Sequence, residues 1–258
     1  QAQWYAVSRN PDAVDIFVEI ETLTSNPHLA LWHSFNNEAP GDPTDWLYQV
    51  KQYAMQAWLY YMTSQEVVAE NLITDGFYSG TSLSPQEYHY QNIGAEKLRT
   101  IFANWAARNT LDFDYLTRAQ VERAKVELNN VADLSNRKPY AVTLDGTNLI
   151  GTHNPPADLK PRSWAHNVIK LENIPGGNYT ISLSGEKEGS EGAASHFEGR
   201  FVVKGKSEVQ SFTMNSMTEG SFSLTLENTL EEAYIIIASV PEQFTSAQNY
   251  GYSITISQ

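Results

Sequence analysis

Up to about residue 137 the apolar residues recur every three or four positions; from Tyr140 onward they alternate with polar ones. The later runs are short and broken by Gly, Asn, Pro and Ser. A period near 3.6 belongs to an amphipathic helix and a period of two to a half-buried strand. The chain therefore reads as α+β with two domains: a helical domain over 1–137, then an antiparallel β-sandwich, jelly-roll-like, over 138–258.

In the first part, Asn10-Pro11 and Asp42-Pro43 each set an N-cap residue before a proline at the first helical position. Beyond Asp42, the residues Leu47, Val50, Ala54, Ala57 and Tyr61 share one face, widened by Trp46, Tyr53 and Trp58. A shorter helix is expected over 64–73, and a loop over 74–84 marked by Asp75-Gly76 and Ser79-Gly80. Ser84-Pro85-Gln86-Glu87 is a capping box, and the stripe after it (Tyr88, Gln91, Ala95, Leu98, Phe102, Trp105) reads as one helix reaching Asn109. Thr117 to Gln120 is a second box. Five of the six tryptophans fall in this half, which points to an aromatic core between helices.

In the second part, Asn178 to Ser184 turns Tyr179, Ile181 and Leu183 inward and Thr and Ser outward; 221–226 does the same. Tyr234 to Ala238 is continuously apolar, the pattern of a central strand buried on both faces. Further strands are expected at 140–144, 165–171, 196–203, 208–214 and 250–256, about eight in all.

The 258 residues carry a formal net charge of −13, with 17 acids against 9 bases before residue 138 and 13 against 8 after it. No basic stripe exists, which argues against nucleic acid and anionic membranes as partners. No apolar run approaches a membrane span. The absence of cysteine removes disulfides, thiol nucleophiles and Cys-based zinc sites. A chain opening on Gln1 and not on Met reads as a processed or trimmed terminus, and a secreted or periplasmic location is expected with no signal peptide in the sequence itself.

Motifs that carry chemistry are sparse. There is no His-Glu-x-x-His, no Gly-x-Ser-x-Gly elbow and no Walker loop, so no zinc site is expected. The densest polar constellation is the junction over 31–46, where Trp32, His33, Asn36, Asn37, Glu38, Asp42, Asp45 and Trp46 lie together. Such a junction can line a cleft, with His33 donating to a developing oxyanion. It can equally be a buried turn that ends one helix and caps the next. The glycine-rich stretch 185–199 holds Glu186, Glu188 and Glu191, a solvated loop or a calcium site without EF-hand spacing. Trp164 and the tyrosines of the strands are candidates for a sugar-stacking platform, although Tyr179, Tyr250 and Tyr252 fall on inward phases.

Four stretches carry a resemblance: NPHLALWHSFNNEAPGDPTDWLYQ (26–49), GAEKLRTIFANWAARNT (94–110), GSEGAASHFEGR (189–200) and IIIASVPEQFTSAQNYGYSITI (235–256). Together they resemble the C-terminal portion of large secreted bacterial proteins that look like zinc metallopeptidases, the Svx/AvrXca-type group. The last stretch, with GNYTISLSG (177–185), is also similar to C-terminal β-sandwich accessory domains of secreted peptidases. The zinc-binding helix of that group lies upstream of the matched stretches and has no equivalent here. The resemblance thus implies a piece of a longer protein, or a form without the metal centre.

The reading that follows is a non-catalytic C-terminal region of a secreted peptidase-like protein. Its partner would be a protein or polysaccharide substrate, or an upstream catalytic domain. A carbohydrate-binding module is the alternative, and a self-contained hydrolase built on the 31–46 junction is a third. No cofactor is expected beyond calcium at the acidic loop.

Overall fold

A computed structural model describes residues 26–31, 55–66, 68–78, 80, 82–111, 113–117, 140–244 and 248–258. These residues form an α+β molecule in which helices cover one sheet of a two-sheet sandwich.

The described helices are α1 (Met55–Ser64), α2 (Glu70–Tyr78), α3 (Pro85–Ile93) and α4 (Ala95–Asn109). The capping box at the start of α3 is formed as the sequence requires. Ser84 N donates to Glu87 Oε2 at 2.8 Å, and Glu87 N donates to Ser84 Oγ at 3.3 Å. Hydrogen bonds from the Ser84 backbone and hydroxyl hold the Glu87 carboxyl below the usual carboxylate range.

Two helical expectations need correction. The stretch 74–78, read as loop, completes α2, and Gly76 lies inside it. A Cβ on Gly76 would stand 2.6 Å from His89 Nε2, so the glycine permits close packing of α2 on α3 and does not mark a turn. The stripe from Tyr88 to Trp105 is likewise two helices. Gly94 breaks it with a φ of +96°, a conformation that costs side-chain-bearing residues dearly.

Among the described residues ten strands form two five-stranded sheets. The first has the order β1 (Tyr140–Asp145), β3 (Ala165–Ile174), β9 (Leu230–Ser239), β5 (Phe197–Val203), β6 (Val209–Ser211). The second runs β2 (Gly151–His153), β10 (Tyr252–Ser257), β4 (Gly177–Gly185), β8 (Glu219–Leu226), β7 (Thr213–Met214). Pairing is antiparallel except between β1 and β3, which are parallel, a departure from the all-antiparallel expectation.

Ten strands replace the expected eight for two reasons. β2 is a three-residue edge strand, too short to show alternation. The single run expected over 208–214 divides at Phe212, with β6 pairing to β5 and β7 to β8. Phe212 N donates to Gly199 O at 3.0 Å, and a Cβ on Gly199 would lie 2.5 Å from the Phe212 ring. The chain changes sheets where the phenyl ring lies over a bare α-carbon.

The apolar core between the sheets includes Ile169, Leu171, Ile181, Leu183, Phe197, Phe201, Ile235 and Ile237. On the opposite face of β9, Tyr234 and Ile236 meet Ala106 and Ala107 of α4, beside Val168 and Val202. Strand β9 is thus buried on both sides, as its continuous apolar run requires. Each fully buried isoleucine there stabilises the fold by about 1.5–3 kcal/mol relative to exposure. The alanines matter for their smallness, since they let the α4 backbone lie close on the sheet.

Candidate functional site

The junction residues Trp32, His33, Asn36, Asn37, Glu38, Asp42, Asp45 and Trp46 lie outside the described residues. The segment leading into them is described. Leu29, Ala30 and Leu31 are buried, and the backbone 27–31 runs beside the start of β3. Arg162 N donates to His28 O at 2.9 Å, His166 N to Pro27 O at 2.9 Å and Leu31 N to Trp164 O at 3.3 Å.

Trp164 anchors this region. Its φ of +52° is unusual for a residue bearing a side chain, and several contacts hold it there. The indole Nε1 donates to Pro241 O at 3.0 Å, Phe244 stacks on the ring at 5.2 Å, and Phe102 of α4 meets it edge-on at 5.5 Å. Arg99 of α4 donates from Nε to Val240 O at 3.0 Å and from its guanidinium to the Tyr90 hydroxyl. With 3% of its surface exposed, Trp164 is core. Tyr179, Tyr250 and Tyr252 are buried too. Trp164 therefore offers no face to a sugar, and the three tyrosines are core as their inward strand phases require.

Nor does the structure gather the acids of the glycine-rich loop. Glu186, Glu188 and Glu191 are exposed, and Glu186 pairs with Lys160 at 3.1 Å. The loop closes on itself through Gly189 N to Ala193 O at 2.7 Å and Ala193 N to Gln248 Oε1 at 3.0 Å. Among the described residues no group of three or more His, Asp or Glu is placed to hold a metal ion.

The most concentrated buried charge is one that motif searching passed over. Glu198 and Arg200 occupy alternate positions on the face of β5 that meets α4, and His196 immediately precedes the strand. Arg200 is 2% exposed; its Nε donates to Asn104 Oδ1 on α4 at 2.8 Å, and Nη1 donates to Glu198 Oε2 at 3.0 Å and to Gly199 O at 2.8 Å. His196 Nε2 stands 3.8 Å from Glu198 Oε1, and its Nδ1 is buried without a partner. Burial pushes the Glu198 carboxyl up, but the His196 contact and the Arg200 charge outweigh it and hold the group below the usual carboxylate range. A carboxylate beside an imidazole is the minimum of a general-base pair. Here, however, the carboxylate is tied to Arg200, which is itself bonded to Asn104 of α4. The arrangement neutralises charge and fixes α4 on the sheet. The signal for it was the alternation His-x-Glu-x-Arg in 196–200, legible once that stretch is read as a strand.

His89, His166 and His153 serve packing and local hydrogen bonds. His89 is buried against Ile73 O, and desolvation lowers its pKa. His166 lies between the rings of Phe102 and Trp105, and His153 bonds Leu149 O at 2.9 Å.

No known family's pattern matches this chain, and no curated protein is similar to it. Among solved structures it is similar to the pre-peptidase C-terminal domain of collagenase from Bacillus anthracis, at 12% identity over 46% of this chain and 98% of that one, with a TM-score of 0.29. It is also similar to CorA, a surface-associated copper-binding protein of Methylomicrobium album BG8, at 9% identity over 46% and 98%, with a TM-score of 0.27. A third is a family GH115 4-O-methyl-α-glucuronidase, at 8% identity over 99% of this chain and 41% of that one, with a TM-score of 0.25. Among the described residues no helix is long and apolar enough to cross a membrane.

Proposed function

We propose that the chain is a non-catalytic, peptidase-associated region of a secreted bacterial protein. In this reading the helical layer completes a neighbouring catalytic unit, and the sandwich associates with substrate or with a surface. The group suggested by the four matched sequence stretches, the Svx/AvrXca-type metallopeptidase-like proteins, is the frame for it.

The observation that carries the reading is the way the helices meet the first sheet. α4 is joined to it by apolar burial at Ala106 and Ala107, by the Asn104–Arg200 bond, and by the Trp164–Phe102 contact. Such a joint holds the sandwich in one orientation relative to the helices, as an accessory unit serving a neighbouring active site requires. Among the described residues the helices meet the first sheet, and the second lies on the far side of the sandwich.

The test is enzymatic and analytical. The purified chain is incubated with casein and gelatin, with and without a chelator, and its zinc content is measured. No cleavage and substoichiometric zinc are expected. Chelator-sensitive proteolysis, or one zinc per chain, overturns the proposal.

A further inference from the structure

Arg162, just before β3, is a cation folded into the protein without a counter-charge; 7% of its surface is exposed. The other described arginines are all engaged. Arg99 bonds Val240 O and the Tyr90 hydroxyl, Arg108 pairs with Asp114, and Arg200 holds Glu198 and Asn104. Among the described residues the Arg162 guanidinium has no hydrogen-bond acceptor, no carboxylate within ion-pair distance and no aromatic ring beneath it. Its nitrogens are nonetheless not sealed from solvent. The guanidinium therefore stands at a narrow opening with its donors unused.

Backbone pairing sets its neighbours. Arg162 and Asn249 form an isolated antiparallel bridge, and Tyr250 N donates to Pro161 O at 2.8 Å. That bond makes 162 and 249 a non-hydrogen-bonded pair, the type whose α-carbons approach to about 4.5 Å with both side chains on one face. Their main-chain groups turn away from each other: Arg162 N donates to His28 O at 2.9 Å, Asn249 N to Ser190 Oγ at 3.1 Å, and Ser190 N to Asn249 O at 3.0 Å. Asn249 is half-buried, and its side-chain amide has no protein partner among the described residues. The amide oxygen is the acceptor that the pairing places beside Arg162, and the guanidinium does not use it. A guanidinium fork and an amide thus lie side by side, both unbonded.

Burying an unpaired charge is costly, and arginines this deep are ordinarily paired. Arg162 does not tie elements together as Arg200 does. We infer that Arg162 and Asn249 hold the C-terminal carboxylate of a peptide. The inference rests on the proposed association of the sandwich with a protein substrate and names the part of it that is held. A guanidinium fork matches a planar carboxylate with two parallel N–H···O bonds. The Asn249 amide donates a third bond through Nδ2, and its Oδ1 accepts the N–H of the terminal residue. Little of Arg162 is open, so the group enters end-on, as a chain terminus does and the interior of a polymer does not. A dianion such as phosphate is disfavoured, because Glu186, Glu188 and Glu191 stand exposed on the loop that Ser190 fastens to Asn249. In the proposed setting the group has a source: water added across a peptide bond by a neighbouring peptidase leaves one new carboxylate and one new amine.

Fluorescence anisotropy tests this on the whole chain. The probes are two pools of N-terminally labelled octapeptides, randomised at the last three positions, one ending in a free carboxylate and the other in an amide. Both pools hold the same aspartate and glutamate side chains, so only the terminus differs. The acid pool is expected to bind at least tenfold tighter than the amide pool, and N-acetylalanine to compete at least tenfold better than acetate or inorganic phosphate. Arg162→Met is expected to abolish the acid preference, and Arg162→Lys, which keeps the charge without the fork, to reduce it. Lys204→Gln, at the opposite end of β5, is expected to leave it unchanged. Thermal unfolding establishes that each variant is folded; if Arg162→Met is not, Arg162→Lys and the acid–amide comparison on the natural chain decide. No binding of the acid pool overturns the inference. So does equal binding of the two pools, competition by acetate or phosphate as strong as by N-acetylalanine, or an acid preference untouched by substitution of Arg162. Those results leave the non-catalytic reading standing, since that one is decided by proteolysis and zinc content.

Discussion

Arg200, near the middle of the first sheet, donates from Nε to Asn104 on α4 across 2.8 Å, while its Nη1 holds Glu198 two residues away on its own strand. One guanidinium therefore binds a helix to a sheet and neutralises the carboxylate that the contact buries. Removing one member of such a group strands the others, and the cost exceeds that of a surface pair.

Arg200→Ala is expected to destabilise the fold by about 3–5 kcal/mol, because partly buried Glu198 is left charged without its cation. Asn104→Ala removes a single bond to a charged donor and is expected to cost about 1.5–3 kcal/mol. Urea unfolding of both variants and of the double variant measures the coupling; strict additivity would show that the two residues act separately.

The same group sets an acid limit on stability. The folded-state pKa of Glu198 is depressed, so its contribution is full above the ordinary glutamate value of about 4.3 and fades as pH falls through the lower folded value. Melting temperature measured from pH 7 down to pH 3 should therefore drop more steeply for the natural chain than for Glu198→Gln. Parallel curves would remove Glu198 from the explanation.

Gly199→Ala drives a methyl into the Phe212 ring at the point where the chain changes sheets. Overpacking of this kind is expected to cost about 1–3 kcal/mol. If the ring is the obstacle, Gly199→Ala costs less in a Phe212→Ala background. Chemical denaturation of the four proteins closes the cycle.

Trp164→Ala is expected to lose about 3–5 kcal/mol, since it empties the space between Phe102 and Phe244 and orphans Pro241 O. A loss below 1 kcal/mol in thermal unfolding would mean that the site collapses or that the ring is not core.

The β part of the fold was legible in the sequence because its strands are long, alternate cleanly and are stopped by turn residues. β4 shows this at Tyr179, Ile181 and Leu183, and β9 shows the complementary case of a strand apolar throughout. Glycine was harder to read, because its meaning depends on what lies opposite. Gly76 looked like a turn and is a close contact with His89; Gly94 looked like part of a stripe and is a break. Short edge strands such as β2 hold too few residues to display a period. Candidate chemistry was harder still. Trp164 has the composition of a sugar platform and the burial of a core residue, which only packing distinguishes. The His196-Glu198-Arg200 row was hidden because no motif search asks for alternate residues where a strand begins.

The contact of Ala106 and Ala107 with Tyr234 and Ile236 also bears on how such a molecule could be shortened or inherited. The change of hydrophobic period is a convenient place to cut on paper. A chain reduced to 140–258 would nonetheless turn Val168, Val202, Tyr234 and Ile236 out to water as one continuous oily patch, an invitation to aggregate. Any relative that carries the sandwich without the helices should have exchanged those four positions for polar side chains. Any designer who wants the sandwich alone will have to make the same exchange.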